Sequence, residues 1–248
     1  MKQLFPLLLL SLLLGCAQNA PTEQATTETD KPQAPTQAPL HPVFDQVLAD
    51  LPEECGQVIL SYAPDYGETE GALFAFGRTD QGWRMAMDSI PVNVGKHGFA
   101  PAGEKREGDG RTPSGFFALG PAFGYLKDID CALPFAVMVG NSYWDSDSKS
   151  PTYNQLVAEP PQGDYEEMRR DDHLYKYGLV VQYNMDPAVP EMGSAIFLHI
   201  ERRPGAYTAG CVSMSEANMV KLLQWLEAEE LPHILMGTRG EVARLAAQ

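Results

Sequence analysis

From residue 57 onwards the chain is a succession of short apolar or alternating runs, and this pattern limits the possible folds more than any other feature. The runs are 57–62, 72–76, 83–87, 115–119, 134–139, 178–183 and 195–200, and Gly, Pro and Asp separate them. Alternation with a period of two, over segments too short for helices, is typical of β-strands. The sequence therefore predicts a mainly β domain, a sandwich or a barrel, with a few helices.

Two segments have helical spacing instead. Residues 43–51 carry apolar side chains at 43, 47, 48 and 51, which predicts a short amphipathic helix. After Cys211, Ser213 and Glu216 fit a capping box, so a helix is expected to begin about two residues after Cys211. Four apolar residues would line the buried face of this helix: Met219, Leu222, Leu223 and Leu226.

The first 15 residues have the features of a secretory signal. Lys2 precedes an apolar run that ends at residue 14, whereas a membrane-spanning helix needs about 20 apolar residues. The segment Leu13-Leu14-Gly15-Cys16 resembles the lipobox of bacterial lipoproteins. We therefore expect a mature chain that begins at a lipidated Cys16 and is anchored in the cell envelope on the periplasmic side. The second residue of this mature chain would be Ala17 rather than an Asp, which in lipoproteins of this kind implies transport to the outer membrane. A plain signal peptide cut elsewhere is the alternative.

Residues 16–42 are rich in Pro, Thr, Gln and Ala and contain no aromatic residue. A segment of this composition cannot bury a core and stays extended and solvated. We interpret it as a flexible tether, and residues 43–248 as one domain.

Charge and ligand spacing argue against two classes of protein. The formal net charge is −15 and no basic cluster exceeds two consecutive arginines, whereas nucleic-acid binding depends on Lys and Arg that displace counterions. The five histidines, at 41, 97, 173, 199 and 233, form no His-Glu-x-x-His or comparable cluster, so a zinc peptidase is not indicated. We expect neither nucleic acid nor a metal ion as a partner.

The cysteine count points to one reactive thiol. The chain has four cysteines, Cys16, Cys55, Cys131 and Cys211, and is expected to enter an oxidising compartment. With Cys16 lipidated, an odd number remains. Pairing Cys55 with Cys131 would leave Cys211 free, as a nucleophile requires. Counting alone leaves open a disulfide between Cys211 and either of the other two.

The residues around Cys211 suit a nucleophilic cysteine. A strand at 195–200 presents His199, and a loop of eleven residues brings the chain back to Gly210 and Cys211. A nearby imidazole and a following helix N-terminus both lower the pKa of a thiol. Gly210 lets a substrate carbonyl approach backbone amides that can form an oxyanion site. We therefore predict Cys211 as a nucleophile and His199 as its proton-transfer partner; a small core cysteine beside a buried histidine is the alternative.

The segments 197–199 and 210–212 resemble the active-site motif of the L,D-transpeptidase (YkuD) catalytic domain, a β-rich fold in which His precedes Cys. Further segments, 107–115, 153–154, 171–173 and 193–199, are similar to one branch of that family. The resemblance covers roughly residues 57–237. It implies a β-sandwich or barrel of the YkuD type.

The resemblance also implies a peptidoglycan L,D-transpeptidase without a metal or organic cofactor. Cys211 would attack the carbonyl of a diaminopimelate residue in a tetrapeptide stem, release D-alanine and hold the acyl group as a thioester. His199 would act first as base and then as acid, and Gly210 would belong to the oxyanion site. The acceptor would be an amine of another stem, a lipoprotein lysine or a free amino acid. With water as acceptor the same fold would be an L,D-carboxypeptidase or an amidase, and a decayed site would leave a peptidoglycan-binding lipoprotein.

One position departs from the common pattern of the family. Ser213 stands where most members have an arginine, and the loop before Cys211 is shorter than usual. An arginine that orients the thiol or holds a donor carboxylate is then missing or comes from elsewhere, with Arg111, Arg170 and Arg202 as candidates. A sortase also has His before Cys, but it needs an arginine on a strand shortly after the cysteine, where we expect a helix.

Overall fold

The computed structural model describes residues 42–245. The predicted signal peptide at 1–15, the lipidated Cys16 and the predicted tether at 16–42, apart from its last residue, lie outside the described residues. Within the described part of the chain, no helix is both long and apolar enough to cross a bilayer.

Strands account for most of the regular secondary structure in the described chain. The strands are β1 (Gln57–Ala63), β2 (Glu70–Thr79), β3 (Gly82–Met85), β4 (Ile90–Asn93), β5 (Gly115–Gly124), β6 (Phe135–Val137), β7 (Tyr143–Asp145), β8 (Leu156–Val157), β9 (Tyr165–Glu167), β10 (Tyr177–Val181), β11 (Phe197–Ile200), β12 (Val212–Met214) and β13 (His233–Thr238). The helices are α1 (Pro42–Ala49), α2 (Glu216–Trp225) and α3 (Arg239–Leu245), with a 3-10 helix at Ala228–Glu230.

The large sheet closes on itself. Its strands follow the order β1-β13-β5-β10-β11-β12-β4-β2, and β2 pairs back with β1. β3 extends the sheet beside β2, and β6 pairs with β5. Most neighbours are antiparallel, whereas β11 and β12 are parallel, as are β1 and β13. The prediction of a mainly β domain, a sandwich or a barrel with a few helices, is confirmed.

The seven predicted strands are all present, and the additional ones are mostly very short. The sequence did not indicate β4, β12, β13 or the three strands β7, β8 and β9. Except for β13, each of these has four residues or fewer, so alternation along the sequence cannot reveal it. β7, β8 and β9 form a separate small sheet within the polar segment 141–173.

Three core clusters hold the fold together. The barrel interior and the apolar face of α2, formed by Met219, Leu222 and Leu223, make up the largest. β10 belongs to this region and is buried along its whole length, as its continuous apolar sequence requires. α1 and α3 pack on the other face of β1 in a second cluster. The third cluster includes Cys211, and within it the ring centroid of Phe197 lies 4.9–5.8 Å from those of three other aromatic rings.

The predicted start of the helix after Cys211 is wrong. α2 begins at Glu216, and its N-cap is Ser215, whose hydroxyl accepts a hydrogen bond from the Asn218 amide. Residues 212–214 are instead strand β12, because they pair with β11 on one side and β4 on the other. Cys211 therefore precedes a strand and lies outside the first turn of α2, where the effect of the helix dipole is confined.

The predicted disulfide between Cys55 and Cys131 is also absent. Both are buried free thiols in different core clusters: Cys55 packs with α1 and β1, whereas Cys131 belongs to the largest cluster. Burial raises the pKa of both thiols, that of Cys55 to about 11. Cys211 is likewise a free thiol, as a nucleophile requires.

Candidate active site

Cys211 and His199 open onto one cleft. β11 and β12 are parallel neighbours, with His199 opposite Ser213. Because side chains alternate along a strand, Cys211 and Ser213 point to the same face as His199. All three residues line a cleft of about 360 Å³. The structure thus brings together the two residues that the sequence predicted as nucleophile and proton-transfer partner.

The thiol of Cys211 is buried and neutral. The residue is 6% exposed, and its Sγ donates a hydrogen bond to the carbonyl oxygen of Ala195 at 3.3 Å. Burial raises the pKa of the thiol well above its usual value, and the charge of Glu166 raises it further. The Phe197 amide and Lys105 lower the pKa by less. The sequence predicted a lowered pKa for this thiol, whereas burial in the structure raises it, because the favourable charges are outweighed.

His199 is also neutral, for the same physical reason. Burial lowers the pKa of the imidazole to about 4, and the Arg170 charge adds to this effect. Nδ1 lies 2.8 Å from the carbonyl oxygen of Ile200. A carbonyl only accepts hydrogen bonds, so Nδ1 carries the proton and Nε2 is left as a proton acceptor. The edge of the Tyr175 ring packs against the imidazole at 5.4 Å.

Gly210 lies where two backbone segments approach closely. A Cβ at this position would be 2.9 Å from the carbonyl oxygen of Arg111, which is too close for a side chain. The Gly210 amide donates a hydrogen bond to Thr208 Oγ1 at 3.1 Å, and the same hydroxyl donates to the Cys211 carbonyl at 2.6 Å. An oxyanion bound by the Gly210 amide therefore has to displace the Thr208 side chain.

A buried asparagine fixes the carbonyl that faces Cys211. Ala195 has a left-handed backbone with φ 53°, which is uncommon for a residue with a side chain. Asn154 Oδ1 accepts hydrogen bonds from the Ala195 amide at 3.0 Å and from the Trp144 indole at 2.9 Å. Its Nδ2 donates to two backbone carbonyls, and the residue is 1% exposed. Asn154 therefore holds Ala195 in the conformation that contacts the thiol.

A second polar cluster joins three segments that the sequence singled out. Glu107 Oε2 accepts hydrogen bonds from the Tyr153 hydroxyl at 2.5 Å and from Ser194 Oγ at 2.7 Å. The Tyr153 hydroxyl in turn accepts one from the Gly193 amide at 3.1 Å. The segments 107–115, 153–154 and 193–199 are far apart in the sequence, and this cluster brings them together next to Ala195.

One wall of the cleft contains two residues that sequence reasoning missed, Glu166 and Tyr175. The Tyr175 hydroxyl donates a hydrogen bond to Glu166, and burial raises the pKa of the Glu166 carboxyl. Arg170 lies over the Tyr175 ring at 5.2 Å and binds Asp172 through two hydrogen bonds of 2.8–2.9 Å. No sequence signal marks Glu166, because it lies on a strand of only three residues.

Two of the three arginines suggested as substitutes for an arginine at position 213 line the cleft. Arg170 and Arg202 do so, whereas the guanidinium of Arg111 donates to the Phe99 carbonyl and is not part of the lining. Ser213 is 1% exposed, and its Oγ has no hydrogen-bond partner among the described residues. The position that departs from the common pattern therefore carries a buried hydroxyl that has no hydrogen-bond partner among residues 42–245.

His173 lies apart from the cleft lining. It is exposed, and its Nε2 lies 3.0 Å from the Glu201 carbonyl oxygen, which ties two loops together. Among residues 42–245, no three His, Cys, Asp or Glu side chains are grouped as a metal ion would require.

A family model and two solved structures match the chain. The family model of the L,D-transpeptidase catalytic domain (YkuD) matches residues 77–242. Two solved structures of the helical cell shape determining protein Pgp2 from Campylobacter jejuni, one of them a lysine-to-alanine mutant, match at 12% and 13% identity with TM-scores of 0.39 and 0.38. These matches cover 83% and 77% of this chain but only 59% and 52% of the Pgp2 chains. No curated protein matches the chain.

Proposed function

Because the chain belongs to the L,D-transpeptidase (YkuD) catalytic domain family, we propose that it is a peptidoglycan L,D-transpeptidase. Its acyl donor is a tetrapeptide stem, and its products are D-alanine and a new amide bond to an amine acceptor. One observation carries the proposal: a free thiol directly before β12 and a neutral imidazole on the neighbouring strand β11 open onto the same cleft. Cys211 is the proposed nucleophile and His199 the proposed proton-transfer partner.

Acylation starts from the neutral pair. The Cys211 sulfur attacks the carbonyl carbon of the diaminopimelate residue while Nε2 of His199 takes the thiol proton. Burial raises the pKa of the thiol and lowers that of the imidazole to about 4, so attack and proton transfer occur together, without a preformed thiolate. The Gly210 amide gives up its hydrogen bond to the Thr208 hydroxyl and donates one to the developing oxyanion instead. The C–N bond then breaks, and the imidazolium gives its proton to the departing amine of D-alanine.

Deacylation reverses these roles. The nitrogen of the acceptor amine attacks the thioester carbonyl, and His199 takes a proton from that nitrogen. The C–S bond breaks, and the imidazolium returns the proton to sulfur, which restores the neutral thiol. A second stem, a lipoprotein lysine or a free amino acid can supply the amine, whereas water as acceptor yields a tripeptide.

Incubation with purified disaccharide-tetrapeptides, followed by mass spectrometry, tests the proposal. We expect cross-linked dimers together with free D-alanine. Tripeptides without dimers would identify a carboxypeptidase instead, and unchanged substrate would contradict both activities. The Cys211→Ala variant is expected to be inactive. Cys131→Ala removes another buried free thiol and is the matched control, which should keep its activity.

We further propose that the protein is exported and held in the outer membrane by lipid on Cys16. The lipobox-like segment that ends at Cys16 and the spacer-like residues 16–42 support this location. In cell fractionation, the full chain should be found with the outer membrane, and Cys16→Ala should move it to the soluble periplasmic fraction. An unchanged distribution of the Cys16→Ala variant would contradict the anchor.

A further inference from the structure

Asn154 takes no part in the proposed reaction, yet only one residue separates it from the nucleophile. It is 1% exposed and does not line the cleft that contains Cys211. Its Oδ1 accepts hydrogen bonds from the Ala195 amide and the Trp144 indole, and its Nδ2 donates to two backbone carbonyls. All the hydrogen-bonding groups of this side chain are therefore engaged, which gives it a single orientation.

The link to the nucleophile is Ala195, whose backbone is left-handed. Its φ is 53°, a conformation that costs free energy for a residue with a side chain and persists only where neighbouring groups hold it. Asn154 binds the amide of this residue, and its carbonyl oxygen accepts the hydrogen of the Cys211 thiol at 3.3 Å. A change of φ at Ala195 would turn that carbonyl, so the direction of the thiol depends on Asn154.

A second contact joins the same two segments one residue earlier in each. Glu107 accepts hydrogen bonds from Tyr153 and Ser194, which directly precede Asn154 and Ala195. The two segments are therefore tied together at two successive positions. Both ties are made by side chains, so they depend on the residue type at each position and are not supplied by backbone pairing.

The segment that Asn154 anchors also contains the other backbone group that contacts the sulfur. The Phe197 amide interacts with the Cys211 thiol and lowers its pKa, and Phe197 begins β11, the strand that carries His199. No hydrogen bond joins Sγ to His199 within the described part of the chain. In the resting protein, segment 195–197 therefore sets the position of the thiol, and the base does not.

We propose that Asn154 is a positioning residue for the nucleophile: by holding Ala195 in its left-handed conformation, it fixes the direction of the Cys211 thiol and thereby sets the rate of attack. Because Asn154 does not line the cleft, its loss should lower kcat and leave substrate binding unchanged. The effect on kcat rests on the proposed function, whereas the effect on the thiol does not depend on it.

Asn154→Gly removes the side chain without straining its own backbone, because φ of residue 154 is 61° and glycine adopts such values freely. We expect kcat for release of D-alanine from tetrapeptide stems to fall about 100-fold, as for a misplacement of about 1 Å, with KM within about twofold of the wild type. Asn184→Gly is the matched control: Asn184 has φ 51°, and its side chain bonds Val189 and Gly193 but not Ala195. It should keep the kcat of the wild type.

Adding Ala195→Gly to Asn154→Gly separates positioning from a general loss of stability. Glycine takes a left-handed backbone without help, so the second substitution should raise kcat about tenfold. A protein that was only destabilised would lose further activity instead, because the buried Ala195 methyl group would also be removed from the core. No recovery in the double variant would overturn the proposal.

Asn154→Asp keeps the test decisive if Asn154→Gly does not fold. This variant retains the oxygen that accepts from the Ala195 amide and loses only the two hydrogen bonds that Nδ2 donates. We expect its kcat to stay within about tenfold of the wild type. A loss as large as that expected for Asn154→Gly would show that the bond to Ala195 is not what matters.

The infrared S–H stretching band of Cys211 tests the positioning without any reaction. The difference between each protein and its Cys211→Ala derivative isolates this band from those of the other thiols. A thiol that donates a hydrogen bond absorbs at a lower frequency than a free one. The band should therefore move to higher frequency in Asn154→Gly, return towards the wild-type position when Ala195→Gly is added, and stay unchanged in Asn184→Gly.

This band and the turnover of tetrapeptides distinguish the two proposals. A shifted band in Asn154→Gly, with no turnover by the wild type, would support the positioning and contradict the transpeptidase. Turnover by the wild type, with an unshifted band in Asn154→Gly, would support the activity and overturn the positioning.

Discussion

The charge states of Cys211 and His199 follow from burial, which moves the pKa of an acid and of a base in opposite directions. The pKa of the thiol rises and that of the imidazole falls to about 4, so both groups are uncharged at neutral pH. Glu166 reinforces this state, because a carboxylate near the sulfur disfavours the thiolate. The resting pair differs in this respect from the thiolate–imidazolium pair by which many cysteine enzymes are activated.

Removing the Glu166 charge should make Cys211 more reactive. In Glu166→Gln the amide oxygen still accepts the Tyr175 hydrogen bond, whereas the charge that raises the pKa of the thiol is gone. We expect alkylation of Cys211 by iodoacetamide at pH 8, followed by peptide mass mapping, to be roughly threefold to tenfold faster. Glu167→Gln changes the adjacent exposed carboxylate outside the cleft and should match the wild type. A rate equal to that of the wild type in Glu166→Gln would contradict the electrostatic role of Glu166.

Gly210 should be intolerant of any side chain. In Gly210→Ala the new Cβ would approach the Arg111 carbonyl oxygen to 2.9 Å, so the backbone that carries Cys211 must shift. A misplacement of about 1 Å near the reacting atoms lowers rates about 100-fold, which is the loss of kcat/KM that we expect for D-alanine release. Gly140→Ala is the control, since a Cβ there meets no atom within 4 Å. Wild-type activity of Gly210→Ala would show that the turn before Cys211 is not tightly constrained.

At the level of secondary structure, β12 is the element that the sequence did not reveal. Ser213 and Glu216 have the spacing of a capping box, and local pattern alone favours a helix from that point. The pairing of Val212–Met214 with β11 and β4 overrides this preference, and the cap moves to Ser215. Local sequence therefore predicts that a helix follows Cys211, but only the barrel decides where it starts.

Two serines distinguish the observed helix start from the one expected from the sequence. Ser215→Ala should lower the free energy of unfolding by about 1 kcal/mol, because the N-cap bond to the Asn218 amide is lost. Ser213→Ala should leave it unchanged or raise it, because the buried Ser213 hydroxyl has no partner within the described residues and its removal breaks no hydrogen bond. Urea denaturation of both variants measures the difference. The reverse order of effects would place the cap at Ser213.

Segment 141–173 shows why very short strands could not be predicted from the sequence. Its length and polarity are typical of a functional or disordered loop. In the structure it contains the small sheet of β7, β8 and β9 and delivers Glu166 and Arg170 to the cleft. Strands of two or three residues have no period to detect, so neither the sheet nor the position of Glu166 in the cleft could be predicted, whereas Arg170 was among the arginines suggested from the sequence.

On the scale of the whole molecule, closure of the barrel explains which parts of the site were predictable. His199 lies on β11, and one loop leads from β11 to Cys211 directly before the neighbouring strand β12, so their meeting could be inferred from the sequence. Asn154 and Glu107 reach the site from segments that are about 40 to 90 residues away from Ala195. Contacts of that kind depend on the order of strands in the sheet, which a single sequence does not specify.

The burial of His199 should make the stability of the whole domain depend on pH. Its pKa is about 4 in the folded protein and 6.5 as an ordinary value, so the unfolded chain binds the proton more readily. The contribution of the neutral His199 to the free energy of unfolding is fully present above pH 6.5 and is lost as the pH falls towards 4. In total it is roughly 3 kcal/mol. Urea unfolding at pH 7, 5.5 and 4.5 should therefore show a steeper decline in the free energy of unfolding for the wild type than for His199→Gln, which cannot bind this proton.

His173→Gln, the same substitution at an exposed position, is the matched control and should follow the wild type. Parallel curves for the wild type and His199→Gln would mean that burial does not keep the imidazole neutral, and the concerted proton transfer proposed for Cys211 would lose its physical basis.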